Sequence, residues 1–237
     1  MAKMVGLSRN IKMNWLDKAA EFYMERDEHQ DLKQELSDYL SFEIKSETNR
    51  RKTNASLLHI WCFEDGAREF LRENALRLLT DNQDRKLVVH WCMLLAAYPV
   101  FMDVAQLIGK LFEFQDEFKL STLREKIYEK WGERTTLLHS LDKLMATFVD
   151  LGVLERKGSG LYSLSHKQAV DKEARDLLLY TMLTLEKNGS VNMDKLNDNV
   201  LFFPFEYKIS MEDLIYNEHV VVQRFGDMFM VELKKEG

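Results

Sequence analysis

Proline, glycine and cysteine are all scarce in this chain. Its 237 residues include two prolines, ten glycines and two cysteines. This composition argues against a collagen-like, disordered or disulfide-rich chain. Hydrophobic residues make up 46% and charged residues 30%, which is typical of a packed globular protein rich in helix. We therefore expect a mainly α fold with short loops.

Long apolar runs are also lacking. The longest, residues 91–104, is interrupted by Pro99 and Asp103, and it is shorter than the roughly 20 apolar residues that a membrane-spanning helix needs. The first residues run into a charged amphipathic stretch without the apolar core of a secretion signal. Cys62 and Cys92 lie beside tryptophans, as reduced, buried thiols would. These features predict a soluble cytoplasmic protein with no membrane partner.

Motifs for catalysis are missing as well. The sequence has no Gly-rich phosphate loop followed by Lys-Ser or Lys-Thr, no Gly-x-Ser-x-Gly elbow and no His-Glu-x-x-His pattern. Asp103, Asp116 and Glu117 suggest a metal-dependent nuclease cluster, but the solvated face of a helix and its end is the simpler interpretation. We predict a protein that is not an enzyme and uses no cofactor.

Two histidine–cysteine pairs bear on metal binding. His59 and Cys62 are three residues apart and can share one helix face, whereas His90 and Cys92 are two apart and point to different faces. Apolar neighbours favour core packing over zinc binding at these positions. We therefore predict no metal site.

Apolar periodicity predicts a succession of helices in the first part of the chain. Residues 1–98 are interpreted as a helical N-terminal domain, and Pro99 as the start of the next helix. The helices are predicted at residues 14–26, 31–44, 46–63, 67–79, 86–97 and 100–114.

The pattern changes in the middle of the chain. Residues 121–131 and 135–151 are predicted to form two helices with a turn at Gly132 between them. Two β-like runs follow at 153–156 and 161–164, and the glycines between them suit a tight hairpin. Helix, turn, helix and hairpin succeed one another in the winged helix-turn-helix domain, which residues 99–166 resemble.

The remaining residues, 167–237, are predicted to form a C-terminal helix at 172–186 and a β-hairpin that turns at Gly226 and Asp227. Residues 201–207 carry four aromatic rings, more than a surface loop normally exposes. Either this segment packs on the core or it anchors a partner protein, and its apolar character favours the core.

The resemblance to a winged helix carries an expectation of DNA binding. In that fold the second helix of the turn enters the major groove and the wing follows a phosphate backbone. An inward stripe would comprise Leu137, Leu141, Leu144, Met145 and Phe148. The groove-facing residues would be Arg134, Thr135, Thr136, His139, Ser140 and Lys143.

Arg156 and Lys157 are predicted to be phosphate contacts at the wing. The net charge of −6, and the carboxylates of Glu133, Asp142 and Glu155 nearby, weigh against strong attraction to phosphates. Winged helices also serve as docking modules for proteins, so both functions stay open at this point.

A second basic cluster consists of Arg50, Arg51 and Lys52, which follow the capping residue Ser46 at a helix start. Helix N-terminal amides would add to the attraction of these cations for a phosphate. The alternative is a solvated helix end.

Taken together, the Ser46-x3-Arg50-Arg51-Lys52 helix start and the Val149-Asp-Leu-Gly-Val-Leu154 exit from the second helix resemble the BrxA-type accessory proteins of bacterial BREX phage-defence systems. The resemblance implies a non-catalytic protein that binds double-stranded DNA and other proteins of that antiviral system. The sequence leaves open whether the chain also forms a homo-oligomer. Residues 167–237 extend beyond the resemblance. The competing functions are a protein–protein adaptor or scaffold and a transcriptional regulator.

Overall fold

A computed structural model describes residues 6–26, 31–62 and 66–234, with the backbone alone at 66, 67, 81 and 83. The protein is mainly helical with small sheets, as predicted. The helices are α1 (Met13–Glu25), α2 (Leu32–Ser41), α3 (Glu47–Trp61), α4 (Gly66–Asp81), α5 (Lys86–Ala97), α6 (Pro99–Phe112), α7 (Leu120–Trp131), α8 (Thr135–Asp150), α9 (Lys172–Leu185) and α10 (Met211–Ile215). Short 3₁₀ helices lie at Gln83–Arg85, Met193–Lys195 and Val200–Phe202.

Capping residues fix where several helices begin. The side chain of Asp31 accepts hydrogen bonds from two backbone N–H groups of α2. Ser46 accepts one such bond at the start of α3, and Asp171 accepts one at the start of α9. Each satisfies a donor that has no partner within its helix. Pro99 occupies the first turn of α6, where its missing N–H costs nothing.

The strands are β1 (Glu117–Lys119), β2 (Leu154–Gly158), β3 (Leu161–Leu164), β4 (Gln168–Ala169), β5 (Ser190–Asn192), β6 (Phe205–Glu206), β7 (Val220–Phe225) and β8 (Met228–Leu233). One antiparallel sheet has the order β1-β3-β2 and another the order β5-β8-β7, while β4 and β6 pair in parallel. Both predicted hairpins, β2–β3 and β7–β8, are confirmed.

Three details differ from the sequence-based expectation. Helix α2 ends at Ser41, short of the predicted residue 44. Strands β1 and β5 each add a third strand to a predicted hairpin, and the parallel pair β4–β6 had no counterpart in the prediction. All of these strands are two or three residues long, so they depend on neighbours that are distant in sequence.

Trp91 in α5 lies fully buried at the centre of the hydrophobic core. Its ring packs against Phe101 of α6, Phe148 of α8, and Phe203 and Phe205 of the aromatic segment 201–207. Its indole N–H donates to the Leu201 carbonyl at 2.9 Å. The aromatic segment is therefore core, and the three predicted domains share this core.

Among the described helices, none is both long and apolar enough to cross a membrane by itself. Helices α5 and α6 reach the required length and composition as a pair, but they are bent by 119° at their junction.

Candidate nucleic-acid interface

The start of α8 is set by the turn that separates it from α7. Gly132 adopts a φ of 76°, a left-handed conformation that glycine tolerates without steric cost, and its N–H donates to the Tyr128 carbonyl to end α7. Helix α8 then begins at Thr135. Its predicted inward stripe is confirmed, because Leu137, Leu141, Leu144, Met145 and Phe148 are all buried.

The opposite side of α8 presents a short polar surface to solvent. Thr135, Thr136, His139 and Lys143 are exposed, and their three- and four-residue spacing places them along one side of the helix. We call these four residues the α8 polar face. The expectation that Ser140 faces solvent is wrong, since it is only 2% exposed.

The N-terminal turn of α8 is open to an anion. Arg134 precedes the helix, no side chain caps it, and the first turn contains no acidic residue. The unpaired N–H groups and the helix dipole both favour negative charge at this end. The Arg134 guanidinium, half-buried, donates to the Trp131 carbonyl at 2.8 Å and so stays close to this end.

The acidic residue on α8 nearest the polar face is partly compensated. Asp142 lies between His139 and Lys143, and its carboxylate is 3.7 Å from the guanidinium of Arg124 in α7. Arg156 of β2 also attracts it electrostatically. The repulsion that Asp142 would exert on a phosphate is therefore reduced.

The predicted wing cations are both engaged within the hairpin. Arg156 donates to the Tyr162 hydroxyl at 2.9 Å, a bond that raises the pKa of Arg156. Lys157 forms an ion pair of 2.6 Å with Glu155, which raises the pKa of Lys157 and lowers that of Glu155. Ser165 also donates to Glu155, at 3.3 Å. A phosphate at the β2–β3 hairpin would compete with these contacts.

One of these contacts has a signal in the sequence. Glu155 and Lys157 are two residues apart on a strand, so their side chains leave the same side and can pair. The hydrogen bond from Arg156 to Tyr162 depends on the register of β2 and β3, in which these residues are partners. A short hairpin with a bulge does not reveal that register in advance.

Asp103 of α6 links that helix to the C-terminal end of α7. The prediction that it lies on a solvated helix face is wrong: it is 2% exposed, and its carboxylate accepts from Lys130 Nζ at 2.7 Å and from Trp131 Nε1 at 2.8 Å. Both donors lie in the last turn of α7. Asp103 therefore holds the end of α7, and with it the turn before α8, against α6.

The second basic cluster lies on α3, which packs against α1, α2 and α5. Arg50 is half-buried and donates to the Ile44 carbonyl at 3.4 Å. Arg51 and Lys52 are exposed, and in the described part of the chain neither forms an ion pair. Ser46 already caps this helix, so the cluster offers side-chain charge more than free backbone N–H groups.

The two histidine–cysteine pairs are built into the packing. His90 is fully buried and lies 2.7 Å from the Asp17 carboxylate, and His59 Nε2 lies 3.1 Å from the Ala97 carbonyl. Burial raises the pKa of Cys92 to about 12. Within residues 6–26, 31–62 and 66–234, no three His, Cys, Asp or Glu side chains gather closely enough to hold a metal ion.

Comparison of the chain with protein-family models, with curated protein sequences and with solved structures gives no match.

Proposed function

We propose that residues 99–166 form a winged helix-turn-helix module that docks on double-stranded DNA without catalysing a reaction. The observation that carries the proposal is the order of elements: α6, β1, α7, a glycine turn, α8, then the β2–β3 hairpin, with β1 beside β3 in the sheet. A winged helix has this order, with α8 as its recognition helix.

The surface of α8 supports this role. The α8 polar face is exposed, and the helix N-terminus carries no cap and no first-turn carboxylate. Thr135 and Thr136 offer hydroxyls near the helix start, where a recognition helix meets base edges and phosphates. Lys143 follows along the same side. The role in a phage-defence system stays a prediction from the resemblance carried by the helix start at residues 46–52 and the helix exit at residues 149–154.

The test is a fluorescence-anisotropy titration with a mixed-sequence duplex of about 30 base pairs, enough for two half-sites. It is run at about 50 and 200 mM salt, because phosphate contacts make affinity fall as salt rises. Lys143→Gln should weaken binding and lower the salt slope by about 1. Lys187→Gln, in the exposed loop after α9, is the matched control.

A protein-docking module is the second candidate. It is favoured by the hairpin, where Arg156 and Lys157 are held by Tyr162 and Glu155 instead of standing open to a phosphate. Absence of saturable DNA binding even at the lower salt would contradict the first proposal and favour the protein-docking module.

A further inference from the structure

A cleft of about 630 Å³ lies between the end of α6, the β1-β3-β2 sheet and residues 197–207. Its back wall depends on Gly109 of α6, which packs against the backbone of Val200. A methyl group at Gly109 would overlap the Val200 carbonyl oxygen. The close approach brings the 3₁₀ helix Val200–Phe202 onto α6 and forms a concave site.

Carboxylates are four of the five charged residues described in the lining of this cleft, which we call the acidic cleft. Glu113, Asp116 and Glu117 lie on one wall and Asp198 on the other, and all four are exposed. None of their carboxylates forms a hydrogen bond or an ion pair within the described part of the chain. Lys157 attracts Glu117 electrostatically, and Lys167 is the one cation among the lining residues described. The cleft therefore concentrates negative potential.

An unpartnered buried hydroxyl lies beside these carboxylates. Ser163 of β3 is 7% exposed, and its Oγ has no hydrogen-bond partner among the described residues. It is the register partner of Glu117, so the two side chains leave the same face of the sheet, and both line the cleft. Buried hydroxyls nearly always have a hydrogen-bond partner, so a ligand group that enters the cleft would supply the partner that Ser163 Oγ lacks.

The aromatic residues that line the acidic cleft indicate which kind of cation it suits. Phe112, Phe203 and Tyr207 contribute aromatic rings, whose faces attract organic cations. The Tyr207 hydroxyl donates to the Leu196 carbonyl at 2.8 Å, which fixes that ring in place. No three carboxylates in the described chain converge as metal ligands do. Carboxylates that do not converge on one point, with aromatic rings in the same lining, suit ammonium or guanidinium groups.

We propose that the acidic cleft binds an organic cation with more than one ammonium or guanidinium group, either a free polyamine or the basic side chains of a protein segment. The site is separate from the α8 polar face. Phe118, Tyr162 and Arg156 share the face of the sheet that is turned toward Asp142 of α8, and Glu117 and Ser163 lie on the other face. Both sites can be occupied together.

Two probes test the proposal by calorimetry on the full chain: spermine, and a short peptide of alternating arginine and glycine. A peptide with glutamate in place of arginine is the negative control. We expect at least one cationic probe to bind, and the double variant Asp116→Asn/Glu117→Gln to bind it about tenfold more weakly. Glu186→Gln, an exposed carboxylate after α9, should bind like the wild type.

A competition experiment distinguishes a free polyamine from a basic protein segment as the ligand. Spermine that displaces the arginine peptide identifies a site open to free polyamines, whereas peptide binding that spermine does not disturb identifies a protein segment. Ser163→Ala should fold normally and bind the preferred probe severalfold more weakly. The proposal is overturned if neither probe binds at low salt, if the glutamate peptide binds equally well, or if the double variant keeps wild-type affinity.

Discussion

The carboxylate of Asp103 in α6 and the indole nitrogen of Trp131 in α7 form a buried hydrogen bond of 2.8 Å. The same carboxylate pairs with Lys130 at 2.7 Å. Because Trp131 ends α7 and Gly132 follows directly, this contact holds the residues next to the turn before α8 against α6. The orientation of the proposed recognition helix thus depends on a carboxylate that is itself buried.

Replacing Asp103 by alanine should therefore destabilise the protein. The change removes the buried acceptor of Trp131 and the partner of Lys130, and we expect a loss of about 3 kcal/mol in the free energy of unfolding. Urea denaturation measures it. Asp103→Asn, which keeps an acceptor oxygen, should lose less. Glu129→Ala, an exposed neighbour on α7, should stay within about 0.5 kcal/mol of the wild type. Equal stability of Asp103→Ala and Glu129→Ala would contradict this account.

Gly109→Ala tests the contact that forms the back of the acidic cleft. The new methyl group would overlap the Val200 carbonyl oxygen, and relieving that overlap should cost about 1–3 kcal/mol of stability. Cation binding in the cleft should weaken at the same time, because Val200 is displaced. Gly158→Ala is the control, since nothing lies within 4 Å of an added methyl there. A Gly109→Ala protein with wild-type stability would show that α6 and Val200 pack less closely.

Stability should fall on acidification because of His90 and Asp17. Burial lowers the pKa of His90, although Asp17 favours its charged form. Burial alone would raise the pKa of Asp17, but hydrogen bonds from His90 and Lys86 bring it below its usual value. In both cases the unfolded chain binds protons more readily than the folded one.

The free energy of unfolding should therefore decline as the pH drops below about 6.5, where the histidine of the unfolded chain gains its proton. It should decline again below about 4, where the aspartate of the unfolded chain does. Urea denaturation between about pH 8 and 5 isolates the first effect. His90→Gln should flatten this dependence, whereas His139→Gln, on the exposed α8 polar face, should keep it. A wild-type protein equally stable across the range would refute the assignment.

Glu155→Gln should strengthen DNA binding. The substitution removes the carboxylate that pairs with Lys157 at 2.6 Å, and with it one negative charge on the β2–β3 hairpin. We expect a gain in affinity of roughly two- to fivefold at low salt, together with a steeper salt dependence. The anisotropy titration measures both, and Glu186→Gln controls for the change in net charge. A gain of the same size in the control would assign the effect to net charge alone.

Periodicity predicted most of the elements of this fold. The inward stripe of α8 and the two hairpins follow from local patterns of apolar residues and glycines. Strand β1 does not, because in three residues only Phe118 is buried, and its pairing partner lies some forty positions away in the chain.

The polar residues were harder to place. Asp103 belongs to an amphipathic helix. The pattern of that helix cannot show that Lys130 and Trp131, on a different helix, donate hydrogen bonds to its buried carboxylate. Ser140 is small enough to be buried beside the apolar stripe of α8. The acidic cleft has no sequence signature, because its walls come together through tertiary packing at Gly109.

The position of Trp91 has a thermodynamic consequence. Its ring touches Phe101 and Phe148 of the middle segment and Phe203 and Phe205 of the last one. Severing the chain at either predicted boundary would leave large aromatic surfaces open to water on both fragments. The protein should therefore melt in one cooperative transition, and residues 99–166 should lack stability as an isolated fragment.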